Sequence, residues 1–95
     1  MPAYLIADMH VTDAAGYEDY KRLAPPAIAR YGGRYLARGG DTTVLEGDWT
    51  PSRLVVLEFP DIEKAKAFFD SPEYGEARRA RKGKGTFRMV VTAGL

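Results

Sequence analysis

The chain predicts an α+β sandwich, a four-stranded antiparallel sheet with helices packed on one face. Three observations carry this reading. Residues 3–11 alternate apolar and mixed side chains, the period of a half-buried strand. Helical spacing replaces that alternation after Thr12-Asp13 and again after Pro60-Asp61. The segments follow in the order βαββαβ, without linker or repeat, in 95 residues that fit one small domain, residues 1–95.

In the first strand Ala3, Leu5, Ala7, Met9 and Val11 form one side, and Tyr4, Ile6, Asp8 and His10 the other. Thr12-Asp13 supplies a helix N-cap, and Tyr17, Tyr20, Leu23 and Ala24 follow at helical spacing. Pro25-Pro26 is expected to interrupt that helix, because proline removes a backbone donor and clashes with the preceding turn. A second helical piece then reaches Tyr31 and stops at Gly32-Gly33. RYLAR (34–38) reads as the second strand, broken by Gly39-Gly40 and resumed in TTVLEG (42–47). RLVVLEF (53–59) is the third strand and the most apolar. Pro60-Asp61 caps a helix carrying Ile62, Ala65, Phe68 and Phe69. Ser71-Pro72-Glu73 starts a fresh one, with proline in its first turn, and Gly83 and Gly85 end it. TFRMVVTA (86–93) is the last strand.

This order and length predict a ferredoxin-like split βαβ fold. The helices should cover the odd residues of the first strand, then Val55, Leu57 and Phe59, then Phe87, Met89, Val91 and Ala93. The other sheet face then carries Tyr4, Ile6, Asp8, His10, Leu36, Arg38, Leu54, Val56, Glu58, Arg88, Val90 and Thr92. That face is too apolar for open water, and a second copy covering it as a twofold homodimer is the expected solution. Ile6, Leu54 and Val56 would be its contact residues.

Composition narrows the function classes. The 45% apolar content and the aromatic share argue for a folded core and against disorder. With no cysteine, disulfides, thiolate chemistry and cysteine-ligated zinc or iron–sulfur centres are excluded. A single histidine excludes a multi-histidine metal site within one chain, and no metal site is expected. A net charge of +1 gives no global attraction for nucleic acid or an acidic membrane. No apolar run approaches the roughly 20 residues of a spanning helix. The first residues read as a strand, not a signal peptide, so a cytoplasmic location is expected.

The candidate chemistry lies on the open sheet face. Asp8 and His10, two apart on one strand, point the same way, and an Asp–His pair can poise a base near neutral pH. The plain alternative, a strand-end histidine bonded to a neighbour, is the favoured one. Haem ligation by His10 is disfavoured, since a sheet face leaves little room for a macrocycle, and no cofactor is expected. Arg38 before Gly39 and Gly40 would place a guanidinium fork beside exposed backbone N–H groups, an anion clamp; the alternative is a salt bridge to Asp8 or Glu58. Glu58 and Arg88 are expected to pair across the sheet or the subunits, though a buried Glu58 would be a candidate base. Tyr4 lies on the same face and joins the candidate ligand contacts. Tyr17, Tyr20 and Tyr31 read as core. The glycine pairs are not phosphate loops, because none follows a strand and opens a helix. ARRARKGKGTFR (77–88) is wholly basic among its charges, but a solvated helix end complementing the helix dipole is favoured over nucleic-acid binding.

PAYLIADMHVTDAAGYEDY, YGGRYLARGG (31–40), the segment LEGDW followed by PSRLVVLEFP (45–60), and SPEY (71–74) stand in an order and spacing that resemble one bacterial family, the domain-of-unknown-function family thirteen-thirty. The resemblance covers essentially the whole chain. It implies a dimeric α+β barrel, whose superfamily includes cofactor-free monooxygenases of polyketide quinones, muconolactone isomerase-like enzymes and haem-dependent chlorite dismutases. It also implies a small-molecule site between sheet and helices or inside the barrel. On this reading the chain is a small-molecule-binding homodimer, as a cofactor-independent enzyme acting on a small acidic or carbonyl compound. Arg38 would hold the anion, and His10 with Asp8 would move a proton. A non-catalytic ligand-binding or structural dimer is the competing reading, and nucleic-acid binding through residues 78–88 the third.

VLEGDWTPSRLVVLEF (44–59) holds the only tryptophan. If Glu46 pairs with Arg53 across the turn, Val44 falls opposite Val55 on the helix side. Tyr35 and Ala37 would face the helices too, so one residue must be inserted between, and Gly39-Gly40 is the expected β-bulge. Trp49 at the hairpin tip is expected to dock on the partner subunit or the mouth of its cleft.

Overall fold

A computed structural model describes residues 1–95. Its elements are β1 (Ala3–Val11), α1 (Ala14–Arg30), β2 (Arg34–Arg38), β3 (Leu54–Phe59), α2 (Ile62–Asp70), α3 (Pro72–Arg81) and β4 (Gly85–Ala93). The sheet order is β2-β3-β1-β4, every neighbour antiparallel, with the helices on one face. This is the ferredoxin-like α+β fold expected from the element order. No helix is long and apolar enough to cross a membrane.

The caps are those the sequence predicts. Asp13 accepts from Gly16 N at 3.0 Å, Asp61 from Lys64 N at 2.8 Å and Ser71 from Tyr74 N at 3.1 Å. Each side chain takes up one donor that the first helical turn leaves unpaired. Ser71 also donates to Phe68 O, so one residue closes α2 and opens α3.

The β1 alternation sorts as expected: Ala3, Leu5, Ala7 and Met9 are buried. Val55, Leu57 and Phe59 are buried beside them, and Phe87, Met89 and Val91 are half-buried, because β4 is a sheet edge. Ala93, expected under the helices, is exposed at the end of that edge. Between sheet and helices runs an aromatic seam. Phe59 meets Phe68 at 5.1 Å between ring centroids and Phe68 meets Tyr74 at 4.3 Å. Tyr20 follows at 6.1 Å from Tyr74, then Tyr17 at 5.0 Å from Tyr20. The hydroxyls of Tyr20 and Tyr74 bond each other at 2.7 Å, which satisfies two buried polar groups at once.

Four expectations fail, each for a physical reason. Pro25 and Pro26 do not break α1, which runs through both. The residues four before them, Lys21 and Arg22, lie on the exposed side, where water satisfies the freed carbonyls, while buried Ala24, Ala27 and Ile28 hold the helix to the core. Residues 42–47 form no strand: β2 is the sheet edge, and this segment has nothing to pair with. Glu46 therefore does not pair with Arg53, and Val44 does not face Val55. The bulge lies not at Gly39-Gly40 but within β2. Tyr35 pairs with Leu57, then Ala37 with Val56 and Arg38 with Val55, so Leu36 is the extra residue. Ala37, expected under the helices, moves to the open face, and Arg38, expected on the open face, moves to the helix side.

The tight turn after α1 yields a stability prediction. A Cβ on Gly33 would stand 2.6 Å from Phe59 Cε1 and 2.9 Å from Ile28 Cγ2, both in the core. Gly33→Ala should lose about 1–3 kcal/mol in urea unfolding through overpacking. Gly40→Ala, with nothing within 4 Å of the new methyl, should stay within about 0.5 kcal/mol.

Candidate functional site

Two regions gather polar side chains, one on each side of the sheet. On the open face the organising group is Asp8. Its Oδ2 accepts from Trp49 Nε1 and from Arg88 Nη2, each at 3.1 Å, and its Oδ1 accepts from Ser52 N at 3.0 Å. Only 11% of the side chain is exposed. The Trp49 indole N–H foremost, then Ser52 and Arg88, holds the Asp8 carboxyl below the usual carboxylate range, against a partial loss of hydration. Asp8 is therefore a fixed anion and a poor base. His10 bonds Ser52 Oγ through Nδ1 at 3.0 Å, so the two members of the expected Asp–His pair meet through Ser52. With Thr50, Thr86 and Arg88 they line a shallow polar hollow of about 380 Å³.

Within one chain Glu58 and Arg88 do not pair across the sheet. Glu58 lies opposite Arg34 in the sheet and takes its Nε at 2.7 Å, while Arg88 lies opposite Asp8. Cross-strand register decides both partners. Tyr4, Ile6, Leu54 and Val56 are half-buried on this face, and Leu36 and Val90 are 47% and 63% exposed. Trp49 lies back against its own chain through Asp8, with half its surface open.

The second region is a cleft between the sheet and α1. Its internal space is about 30 Å³, room for about one water. Tyr17, Tyr20, Tyr35 and Tyr74 line it among Leu5, Met9, Val55, Leu57 and Phe68. Its charged lining is Lys21, Arg38 and Arg53, with no carboxylate and no histidine. Lys21 is bonded to Glu18 at 3.1 Å, outside the lining. Arg38 stacks on the Tyr35 ring with its Cζ 4.3 Å from the centroid. Arg53 leaves a buried Nε without a hydrogen-bond partner. A Cβ on Gly39, whose φ is 70°, would collide with Arg53 Nη1, so this guanidinium passes over bare backbone. Burial pushes all four tyrosine hydroxyls above their usual range, which keeps them neutral donors. The Tyr17 hydroxyl donates a hydrogen bond to Met9 Sδ, a weak acceptor, at 3.0 Å.

The sheet thus divides the constellation read from the sequence. Asp8, His10, Glu58, Arg88 and Tyr4 stay on the open face, and Arg38 joins the cleft. Gly39 offers no free donor, since its N–H bonds Leu54 O at 2.9 Å, and Gly40 stands clear of neighbours. Sequence reasoning missed Arg53 and the tyrosines as cleft residues. The signal was there in phase: Arg53 shares the parity of Val55, Leu57 and Phe59, a charge in register with the core stripe.

The strand order, the one-sided helices and the cleft between them define a ferredoxin-like α+β protein with one sheet face open. The chain belongs to the family described as Domain of unknown function (DUF1330), which matches residues 2–95. No curated protein matches it in sequence. Among solved structures it is similar to a protein of unknown function from Rhodopseudomonas palustris, with TM-score 0.79 and 20% identity over 99% of this chain and 82% of that one. A dimeric ferredoxin-like protein of unknown function from Thermobifida fusca aligns with TM-score 0.68 and 20% identity, covering 99% and 92% of the two chains. SnoaB, a cofactor-independent oxygenase from Streptomyces nogalater, aligns with TM-score 0.65 and 15% identity over 99% and 93%. At these identities the likeness shows the fold alone.

Because Trp49 is the only indole, its fluorescence reports the Asp8 contacts. A carboxyl whose folded pKa is depressed stabilises the fold above its unfolded value and loses that contribution as pH falls through the lower folded value. The Trp49 emission should therefore hold down to pH ~4 and change only below it. Asp8→Asn should be red-shifted at pH 7 and show no acid step; an unchanged spectrum would show that Trp49 does not depend on this carboxylate.

Proposed function

We propose that the chain binds a small anionic or carbonyl compound in the cleft between sheet and helices, with Arg38 and Arg53 holding its charged group. One observation supports this above others: the cleft is lined by cations and neutral hydroxyls, and by no acid. Arg53 is half-buried and Arg38 reaches the cleft from the exposed sheet edge, and neither meets a carboxylate there. The buried, unpartnered Arg53 Nε marks where such a group would be received. The space is small, so a ligand enters by displacing side chains. Tyr35 and its stacked Arg38 stand on the sheet-edge strand, where movement disturbs no outer neighbour.

The cleft chemistry is one-directional. Tyrosines kept neutral by burial can donate a hydrogen bond to a developing oxyanion, and the lining holds no carboxylate or imidazole to take a proton. A ligand that arrives ionised, a carboxylate or an acidic enol, suits these walls. If the chain is an enzyme, it acts by stabilising negative charge on such a compound, and the name of its oxygenase neighbour is compatible with a cofactor-independent reaction of this type. On the open face the His10 imidazole is oriented by Ser52, and Asp8 fixes the loop that carries Ser52.

The same reading includes a homodimer through the open face, through Ile6, Leu54 and Val56 with Trp49 at the rim. It is favoured by Leu36 and Val90, large apolar side chains exposed on one sheet surface, and by the dimeric state of the Thermobifida neighbour. A localisation in the cytoplasm goes with this proposal.

A thermal-shift screen against small carboxylates and β-keto acids tests the cleft. Arg38→Ala and Arg53→Met should each weaken a genuine ligand by roughly 10- to 100-fold, the loss of a charge-assisted hydrogen bond of about 1.5–3 kcal/mol. A ligand that binds both variants as tightly as the native chain would sink the assignment. For the dimer, Ile6→Glu should shift sedimentation from two copies to one, and a native chain that sediments as a monomer at micromolar concentration would end that part.

A further inference from the structure

No residue of the basic run at the end of α3 lines the cleft. Gly75, Arg78, Arg79 and Lys82 recur at helical spacing and line a surface groove together with Arg81 and Phe87. The groove is about 510 Å³, and no carboxylate lines it. Attraction to the helix C-terminus accounts for some cations here, since Arg78, Arg79 and Arg81 fall in the last turn. It does not account for how two of them are held.

Arg81 is only 8% exposed, yet no acidic group meets it. Its guanidinium lies among aromatic faces, with Cζ 4.4 Å from the Phe87 centroid and 5.1 Å from that of Tyr20, and its Nη1 has no hydrogen-bond partner. Arg78 repeats the arrangement: its Cζ stands 4.3 Å over Phe69, and its Nε is buried without a partner. Both guanidiniums are fixed by rings in place of carboxylates, so their charge is oriented and left unneutralised. Glu76 pairs with Arg79 alone. Like charges three and four residues apart, as in Arg78 with Arg81 and with Lys82, destabilise a helix in the absence of an anion. Gly83 and Gly85 leave the turn side of the groove without bulk.

We propose that this groove binds a diphosphate group, either free pyrophosphate or the diphosphate of a nucleotide. Three clustered cations without an acid, Arg78, Arg81 and Lys82, with Arg79 beside them, match a multiply charged anion better than a single carboxylate. Guanidinium forks pair with phosphate oxygens two at a time. The recognition is by side chains, which is why no glycine-rich phosphate loop accompanies it.

The test is a nitrogen-15 NMR titration of the full chain with sodium pyrophosphate, ADP and adenosine, against sodium chloride at equal ionic strength. Pyrophosphate and ADP should give saturable shifts confined to residues 75–87, and adenosine none. Arg78→Gln with Lys82→Gln, both outside the buried core, should weaken binding at least ~10-fold with the spectrum otherwise folded. Shifts no larger than those from chloride would overturn the proposal. So would shifts centred on Tyr35, Arg38 and Arg53, or affinity unchanged in the double variant. Binding to a single-stranded oligonucleotide that strengthens with strand length would replace it with a nucleic-acid surface.

Discussion

The carboxylate of Asp8 is the constraint on which both faces of the sheet depend. It stands on a central strand and accepts three hydrogen bonds, two of them from the long connection between β2 and β3. That connection, residues 39–53, has almost no buried side chain to hold it. Binding Ser52 N to Asp8 and Arg53 O to Met9 N fixes where β3 begins. The start of β3 fixes its phase, and the phase sends Arg53 under the helices while Leu54 and Val56 face outward. A polar contact on the open face thus determines which cation enters the cleft on the other side.

The bulge at Leu36 performs the complementary operation from the opposite strand. With an unbroken register, Arg38 would lie opposite Leu54 on the open face, with Asp8 on the next strand beyond it. One inserted residue moves it across the sheet, opposite Val55 and onto Tyr35. Two arginines from neighbouring strands then meet an aromatic wall from which every acid is missing.

What was legible in the sequence follows from which forces act locally. The alternation in β1 and the caps at Asp13, Asp61 and Ser71 depend on neighbours within four residues, and the structure keeps them. The continuity of α1 through Pro25-Pro26 depends on tertiary burial of Ala24, Ala27 and Ile28, which propensity does not register. TTVLEG has the composition of a strand and no partner edge, a fact of topology. Parity predicts a bulge, and the structure forms it at Leu36, a few residues before the two glycines whose backbone freedom marks a break in the sequence. That shift alone put Arg38 on the wrong face and made the candidate site look like one cluster.

Net charge conceals the distribution that matters. The formal sum is +1, and it suggests a neutral, unselective surface. The helix exteriors hold many of the acids in local pairs: Lys21 with Glu18, Arg22 with Asp19, Lys66 with Glu63 and Arg79 with Glu76. Exposed pairs at this spacing contribute a few tenths of a kcal/mol each, so they are weak structural glue. Other acids lie on the sheet's open face and in the connection before β3, and no carboxylate lines the cleft. Arg38, Arg53 and Arg81 are left against aromatic rings and bare backbone with no acid in contact. Buried Arg81 and the buried Nε of Arg53 are thereby charges without a neutralising partner in low-dielectric surroundings, and their field is of one sign.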